Sequence, residues 1–156
     1  MAGETISVIG LGYVGLPISL KFAEAGYSVV GIDRLEQKVS MISQGESPIK
    51  GNEPGLDELL EKVLATGRFN ATTSFESIQN SDYVLIVVET PFDIRSREPI
   101  YTSLRSATKS VGENLRKGTL VVVESTIAPG TIDNIVIPIL ESESNMKAEL
   151  VARLGS

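Results

Sequence analysis

Neither cysteine nor histidine occurs among the 156 residues. The first absence removes disulfides, thiolate metal sites and a cysteine nucleophile. The second removes the commonest general base and metal ligand, so a Ser-His-Asp triad or a His-ligated metal cannot be assembled, and no metal site is expected. Cationic runs are missing too. Lys and Arg number 14 against 20 Asp and Glu, for a formal charge of -6 and a pI near 4.7. With its positive charges scattered, the chain offers no footprint for a phosphate backbone, and nucleic acid is not an expected partner. Long apolar runs are also absent. The longest, Tyr83 to Val88, falls far short of the ~20 residues that a membrane-spanning helix requires. The N-terminus passes directly into strand-like sequence from Thr5 to Ile9, without the charged and apolar regions of a leader. A soluble, cytoplasmic protein that does not engage membranes is expected. Any chemistry must come from carboxylates, hydroxyls, backbone amides or a bound cofactor.

What is present alternates. Runs rich in β-branched residues, Thr5 to Ile9, Ser28 to Ile32, Tyr83 to Val88 and Thr119 to Val123, with a weaker one at Phe69 to Thr72, predict strands. These runs barely alternate between apolar and polar residues, as suits strands covered by helices on both faces. Between them apolar residues recur at helical spacing, in Leu16-Leu20-Ala23, Leu35-Val39-Ile42, Leu56-Leu60-Leu64 and Leu104-Ala107-Val111-Leu115. Gly26, Gly45, Gly67 and Gly118 stand where these helices would need a left-handed closing residue. A last helical pattern, Ile132 to Ile139, contains Pro138 and is expected to kink or stop there. Strands alternating with helices predict a single α/β domain with a doubly wound, mainly parallel sheet of Rossmann type over residues 1–140. Two polar loops, Gly45 to Gly55 and Phe92 to Tyr101, are long enough to suggest function. Residues 141–156 read as a polar tail, partly disordered or an artificial end.

The most informative local pattern is Gly10-Leu11-Gly12-Tyr13-Val14-Gly15, which follows a predicted strand and opens a predicted helix. Gly10 permits a tight turn, Gly12 lets a diphosphate approach the backbone, and Gly15 lets the helix lie close to the sheet. The free amides at the start of that helix then face the phosphates, which explains how an acidic chain holds an anion without lysine. A second feature agrees. The next strand ends in Asp33, eighteen residues beyond Gly15, close to the spacing at which an acid bonds the adenosine ribose. A 2′-phosphate about 4 Å from that carboxylate would meet repulsion on the order of 4 kcal/mol at an effective dielectric near 20. NAD is therefore the expected cofactor rather than NADP. Arg34 could accept a 2′-phosphate, or serve as a solvated or stacking side chain.

Two further strand ends fall on the same edge of the sheet. In Val88-Glu89-Thr90-Pro91, Pro91 holds Thr90 extended, so that Thr90 faces the cofactor or merely stops the strand. In Val123-Glu124-Ser125-Thr126 and on to Thr131, the two hydroxyls either meet the nicotinamide end of the cofactor or begin a turn, with Thr131 capping the next helix.

Taken in order, Ile9-Gly-Leu-Gly-Tyr-Val-Gly-Leu-Pro17, Gly31-Ile-Asp33, Glu53-Pro-Gly-Leu-Asp-Glu-Leu-Leu60, Thr90-Pro-Phe-Asp93 and Glu124-Ser-Thr-Ile-Ala-Pro-Gly-Thr131 resemble the N-terminal domain of the UDP-glucose/GDP-mannose dehydrogenase family. The likeness runs over about residues 5 to 140. The aromatic after Pro91, Glu98-Pro-Ile-Tyr101 and the Glu-Ser-Thr form look like the branch acting on UDP-N-acetylhexosamines, particularly UDP-N-acetyl-D-mannosamine. Glu89 departs from the Pro or small residue that the family often has there.

The resemblance implies that Tyr13 and Val14 contact the diphosphate through their backbone, Asp33 holds the ribose, and Thr90 contacts the cofactor. Thr126 is implied to contact NAD and to help position a catalytic water. It further implies oxidation of a sugar C6 alcohol to a carboxylate by two hydride transfers to NAD, through a thio-intermediate on a cysteine. That cysteine and the family's catalytic Lys, Asn and Pro-Glu-Arg segment would lie beyond Thr131, where none of their motifs occurs. The chain is thus expected to bind NAD without turning over substrate, to meet a UDP-sugar only together with further domains, and to be monomeric by itself although the parent is oligomeric. The alternatives are the N-terminal domain of a 3-hydroxyisobutyrate- or 6-phosphogluconate-type dehydrogenase, or a non-catalytic NAD-binding module.

Overall fold

The computed structural model describes residues 3–51 and 53–149. Five parallel strands, β1 (Thr5–Ile9), β2 (Ser28–Ile32), β3 (Phe69–Thr72), β4 (Tyr83–Ile86) and β7 (Leu120–Val123), form one sheet in the order β3-β2-β1-β4-β7. The chain builds outward from β1 in one direction, then returns to its other side, so the strand order reverses between β1 and β4. Ligands of open α/β sheets bind at such a reversal, outside the carboxyl ends of the strands.

Helices cover the two faces because side chains alternate along each strand. Ile6 and Val8 of β1 and Leu85 of β4 face α1 (Gly15–Glu24) and α3 (Leu56–Ala65), packing with Leu16, Leu20, Leu60 and Ile42, the last from α2 (Glu36–Ser43). Ile9, Val84 and Ile86 face the other way, against Leu104, Ala107 and Val111 of α4 (Thr102–Asn114) and Leu140 of α5 (Ile137–Ser144). All five predicted strands are present, although β4 ends at Ile86 rather than Val88 and β7 starts at Leu120. Val87 and Val88 thereby become part of the loop at the reversal. Three predicted helix ends also hold, with Gly26, Gly45 and Gly67 at positive φ just past α1, α2 and α3. Gly118 differs: α4 ends four residues earlier, and Gly118 shapes the turn into β7.

At Pro138 the helical run does not stop, as the pattern leads one to expect, but changes type just before it. Its missing N–H and bulky ring obstruct an ordinary helical turn. The chain meets this with a π-helical turn over Ile132–Val136, in which the Ile137 amide reaches back to the Ile132 carbonyl, and Pro138 then falls in the first turn of α5. α5 continues through Ser144, past residue 140, while residues 150–156 of the expected tail lie outside the described residues. The loop after Pro91 holds a small antiparallel hairpin, β5 (Phe92–Asp93) with β6 (Glu98–Pro99). Asp93 pins its turn by accepting from the Arg95 amide at 2.9 Å and the Ser96 hydroxyl at 3.0 Å.

Candidate functional site

β1 ends at Ile9 and the chain turns at once into α1. Gly10 still donates to the Ile32 carbonyl at 2.8 Å, so the turn begins while the backbone is held against β2. At φ +98°, a Cβ on Gly10 would strike the Val87 carbonyl, and one on Gly15 would strike the Gly10 carbonyl. Gly15 is therefore required chiefly for the loop to close on itself, a tighter demand than helix-to-sheet packing. Gly12 is the opposite case: nothing lies within 4 Å of where its Cβ would be, and it lines the crevice. The start of α1 has no side-chain cap. Among the described residues the amides of Gly12, Tyr13 and Val14 are not bonded to other backbone groups, which leaves them available to an anion.

Asp33, at the end of β2, is 9% exposed. Its Oδ2 accepts from the Leu11 amide at 2.9 Å and Lys38 Nζ at 2.8 Å, and its Oδ1 accepts from the Leu35 amide at 3.0 Å. Burial by itself would raise its pKa. The Lys38 ammonium and the two amides outweigh burial and hold the carboxyl below its ordinary value. The carboxylate thus faces the crevice in its charged form with lone-pair capacity remaining on Oδ1.

The crevice, about 250 Å³, opens at the reversal and is lined by Gly10, Gly12, Asp33, Arg34, Lys38 and Glu89, among others. Arg34 crosses it, donating to Ser106 Oγ of α4 at 3.3 Å. Beyond Glu89 the ends of β4 and β7 are stitched together. The Ser125 hydroxyl accepts from the Val88 amide at 3.1 Å and donates to the Val88 carbonyl at 2.7 Å, while Thr90 Oγ1 donates to the Thr126 carbonyl at 2.6 Å. Tyr101 fixes the loop that follows, its hydroxyl accepting from the Ala128 amide at 2.9 Å.

The structure thus gathers Gly10, Gly12, Asp33 and Arg34 around one crevice. Tyr13 and Val14 stand exposed at the start of α1, and the Tyr13 hydroxyl donates to the Lys50 carbonyl at 3.1 Å. Leu11 sits differently from a contact residue. Its side chain is fully buried beneath Gly31, where any Cβ would crowd it, and its amide is committed to Asp33. The hydroxyls of Ser125 and Thr90 bond backbone within the stitched wall, with Pro91 and Thr126 beside them. Thr131 donates to the Ala128 carbonyl at 2.7 Å instead of capping the following helix. Lys38 is the residue that sequence reasoning missed. A signal existed, because a helix starting directly after Asp33 folds its first turn back over that carboxylate. Ser106 carried none, being brought in by α4 from 72 residues away.

Residues 4–155 match the model of the UDP-glucose/GDP-mannose dehydrogenase family, NAD binding domain. The chain is 44% identical over 147 residues to GDP-mannose 6-dehydrogenase of Pseudomonas syringae pv. tomato, a match covering 92% of this chain and 33% of that protein. It is 38% identical over 130 residues to UDP-N-acetyl-D-mannosamine dehydrogenase of Pyrococcus horikoshii, covering 83% and 30%. The crystal structure of NDP-N-acetyl-D-galactosaminuronic acid dehydrogenase from Methanosarcina mazei Go1 superposes with a TM-score of 0.88 at 42% identity, covering 93% of this chain and 32% of the other. A 3-hydroxyisobutyrate dehydrogenase of Salmonella typhimurium shares the fold alone, at 19% identity and a TM-score of 0.60. The chain spans about a third of the length of the curated relatives it matches.

Proposed function

Because the chain belongs to the UDP-glucose/GDP-mannose dehydrogenase family, as its NAD binding domain, we propose that it is the cofactor-holding third of an enzyme that oxidises the C6 alcohol of a nucleotide-linked hexose. NAD, when bound, supplies the hydride acceptor. The observation that carries this reading is Asp33, a buried, charged carboxylate lining a crevice that Gly10 and Gly12, of the turn leading into the uncapped start of α1, also line. The residues fit the group: open space over Gly12 and free amides for the diphosphate, Asp33 for the adenosine ribose, and Arg34 beside the adenine. Tyr13 and Val14 contribute backbone. Leu11 and Gly15 hold the loop. Thr90, Pro91, Ser125 and Thr126 form the wall on the nicotinamide side, and Thr126 is the residue we assign next to the reacting carbon.

For the sugar, the Glu98-Pro-Ile-Tyr101 and Glu124-Ser-Thr126 stretches favour a UDP-N-acetylhexosamine such as UDP-N-acetyl-D-mannosamine. GDP-mannose is the second reading, favoured by the 44% identity to GDP-mannose 6-dehydrogenase. We place the parent in the cytoplasm, oligomeric and supplying uronic acids for polysaccharides, with this chain by itself a monomer. No helix among the described residues is long and apolar enough to cross a membrane. Isothermal titration with NAD, NADP and the two nucleotide sugars tests the reading. The expected result is binding of NAD, weaker binding of NADP and none of either sugar, with no sugar-dependent NADH formation. Failure to bind NAD would refute the cofactor assignment, and NADH formation by this chain would refute the division of labour.

A further inference from the structure

We infer that Ser106 is a positioning residue for cofactor choice: by holding the Arg34 guanidinium against α4, it withholds that cation from a 2′-phosphate and so favours NAD over NADP. The inference rests on the cofactor reading above and adds to it a residue from a remote helix.

Asp33 and Arg34 are consecutive, yet their side chains are tied to opposite layers of the fold. The Asp33 carboxylate is bonded by Lys38 of α2 and by the Leu11 amide, in the layer where Leu11 packs with α1, α2 and α3. Arg34 instead donates through Nη1 to Ser106 Oγ at 3.3 Å, on α4, which packs against the other face of the sheet. Among the described residues this is the only hydrogen bond of the Arg34 side chain, and no carboxylate pairs with it. The acceptor is rigidly placed. Leu104 and Ala107 on either side of it are buried in the core and fix α4. Arg34, exposed and otherwise unattached, is therefore held by one hydroxyl on the far wall of the crevice that both residues line.

An arginine beside the acid that closes the second strand is what accommodates a 2′-phosphate in sites of this type. Arg34 has the right chemistry and the right place in the chain. Its tether points it elsewhere. The ribose hydroxyls belong at Asp33, where Lys38 Nζ lies 2.8 Å from Oδ2, so a phosphate there meets Lys38 while Arg34 stays engaged with α4. NAD and NADP share their adenine, diphosphate and nicotinamide. Any stacking of Arg34 on the base, and any change in it, thus cancels in the ratio of their affinities. What remains is one cation, released or not to one phosphate. An exposed bond of this kind is weak enough to break and strong enough to shift that ratio on the order of three- to tenfold.

The test is titration of the chain with NAD and with NADP in the wild type, S106A, S106T, R34A and the S106A/R34A double variant. The ratio of Kd for NADP to Kd for NAD should fall by about three- to tenfold in S106A and stay near the wild-type value in S106T, which keeps the hydroxyl. In the R34A background, S106A should leave the ratio unchanged, because the residue through which Ser106 acts is gone. Melting temperatures should hold in S106A, since alanine suits a helix interior. If NAD binds and the ratio does not move in S106A, or moves equally in S106T, or moves equally without Arg34, this inference is overturned and the cofactor reading stands. If the wild type does not bind NAD, both fall.

Discussion

One oxygen of Asp33, Oδ2, is shared between the Leu11 amide at 2.9 Å and the Lys38 ammonium at 2.8 Å. This ties the glycine turn after β1 to the first turn of α2 through a carboxylate that also lines the crevice. Removal of the carboxylate should therefore register twice. Asp33→Ala leaves a buried amide and a mostly buried ammonium without their acceptor, at a cost of about 1–3 kcal/mol. It also removes the ribose acceptor, and NAD affinity should drop by about tenfold or more. Thermal melts and calorimetric titration of the same variant read the two effects separately. Retained NAD affinity in a folded Asp33→Ala protein would sink the ribose assignment.

The same carboxylate sets a pH dependence. Its folded pKa lies below the ordinary value, with the cost of burial outweighed by Lys38 and the Leu11 and Leu35 amides. A depressed carboxylate stabilises the fold above its unfolded pKa, and that stabilisation disappears as pH falls through the folded value. The difference in melting temperature between wild type and Asp33→Asn should accordingly be constant near neutrality and shrink below the ordinary carboxylate range. A difference that stays unchanged down to the acid limit would show that the ion pair contributes nothing.

Gly12 and Gly15 belong to one motif yet should fail in different ways. A methyl group at Gly15 meets the Gly10 carbonyl, whereas one at Gly12 meets no protein atom within 4 Å. Gly15→Ala should therefore cost about 1–3 kcal/mol of stability by overpacking, or roughly 2–4 °C of melting temperature per kcal/mol in a domain of this size. Gly12→Ala should melt with the wild type and lose NAD affinity by about tenfold or more, because its methyl enters the space assigned to the diphosphate. Equal melting temperatures for wild type and Gly15→Ala would contradict the packing argument.

Much of this could be read in the sequence because local rules and the global fold agree. The run from Thr5 to Ile9, the three motif glycines and Asp33 each follow from period, turn chemistry or spacing, and all lie within about thirty consecutive residues. What could not be read depends on elements remote in sequence. Ser106 reaches Arg34 across 72 positions, and the Ser125 hydroxyl is directed to Val88 across 37. Whether a strand-end hydroxyl points at a ligand or at a neighbouring backbone is decided by which strand lies beside it, which no local pattern records. The π-helical turn before Pro138 was legible only as a break, since proline forbids the regular helix without dictating what replaces it. Lys38 lay between these extremes, close in sequence to Asp33 but hidden by its place in an ordinary amphipathic helix.

Lys38 bears on which dinucleotide the site takes. Its ammonium is 2.8 Å from Asp33 and only 25% exposed, so it screens the charge that would repel a 2′-phosphate and offers that phosphate a cation. NADP should consequently bind more weakly than NAD, but less weakly than an unscreened carboxylate demands. Lys38→Met removes the screen while retaining the aliphatic bulk. The variant should lose about 1–2 kcal/mol of stability with its charge-assisted bond, and its preference for NAD over NADP should widen by about tenfold, because NADP loses a partner and meets a bare carboxylate. Parallel titrations with both dinucleotides measure the change. A preference that narrows or stays fixed would mean that the 2′ position does not lie against Asp33, and the orientation of the cofactor along the crevice would have to be reversed.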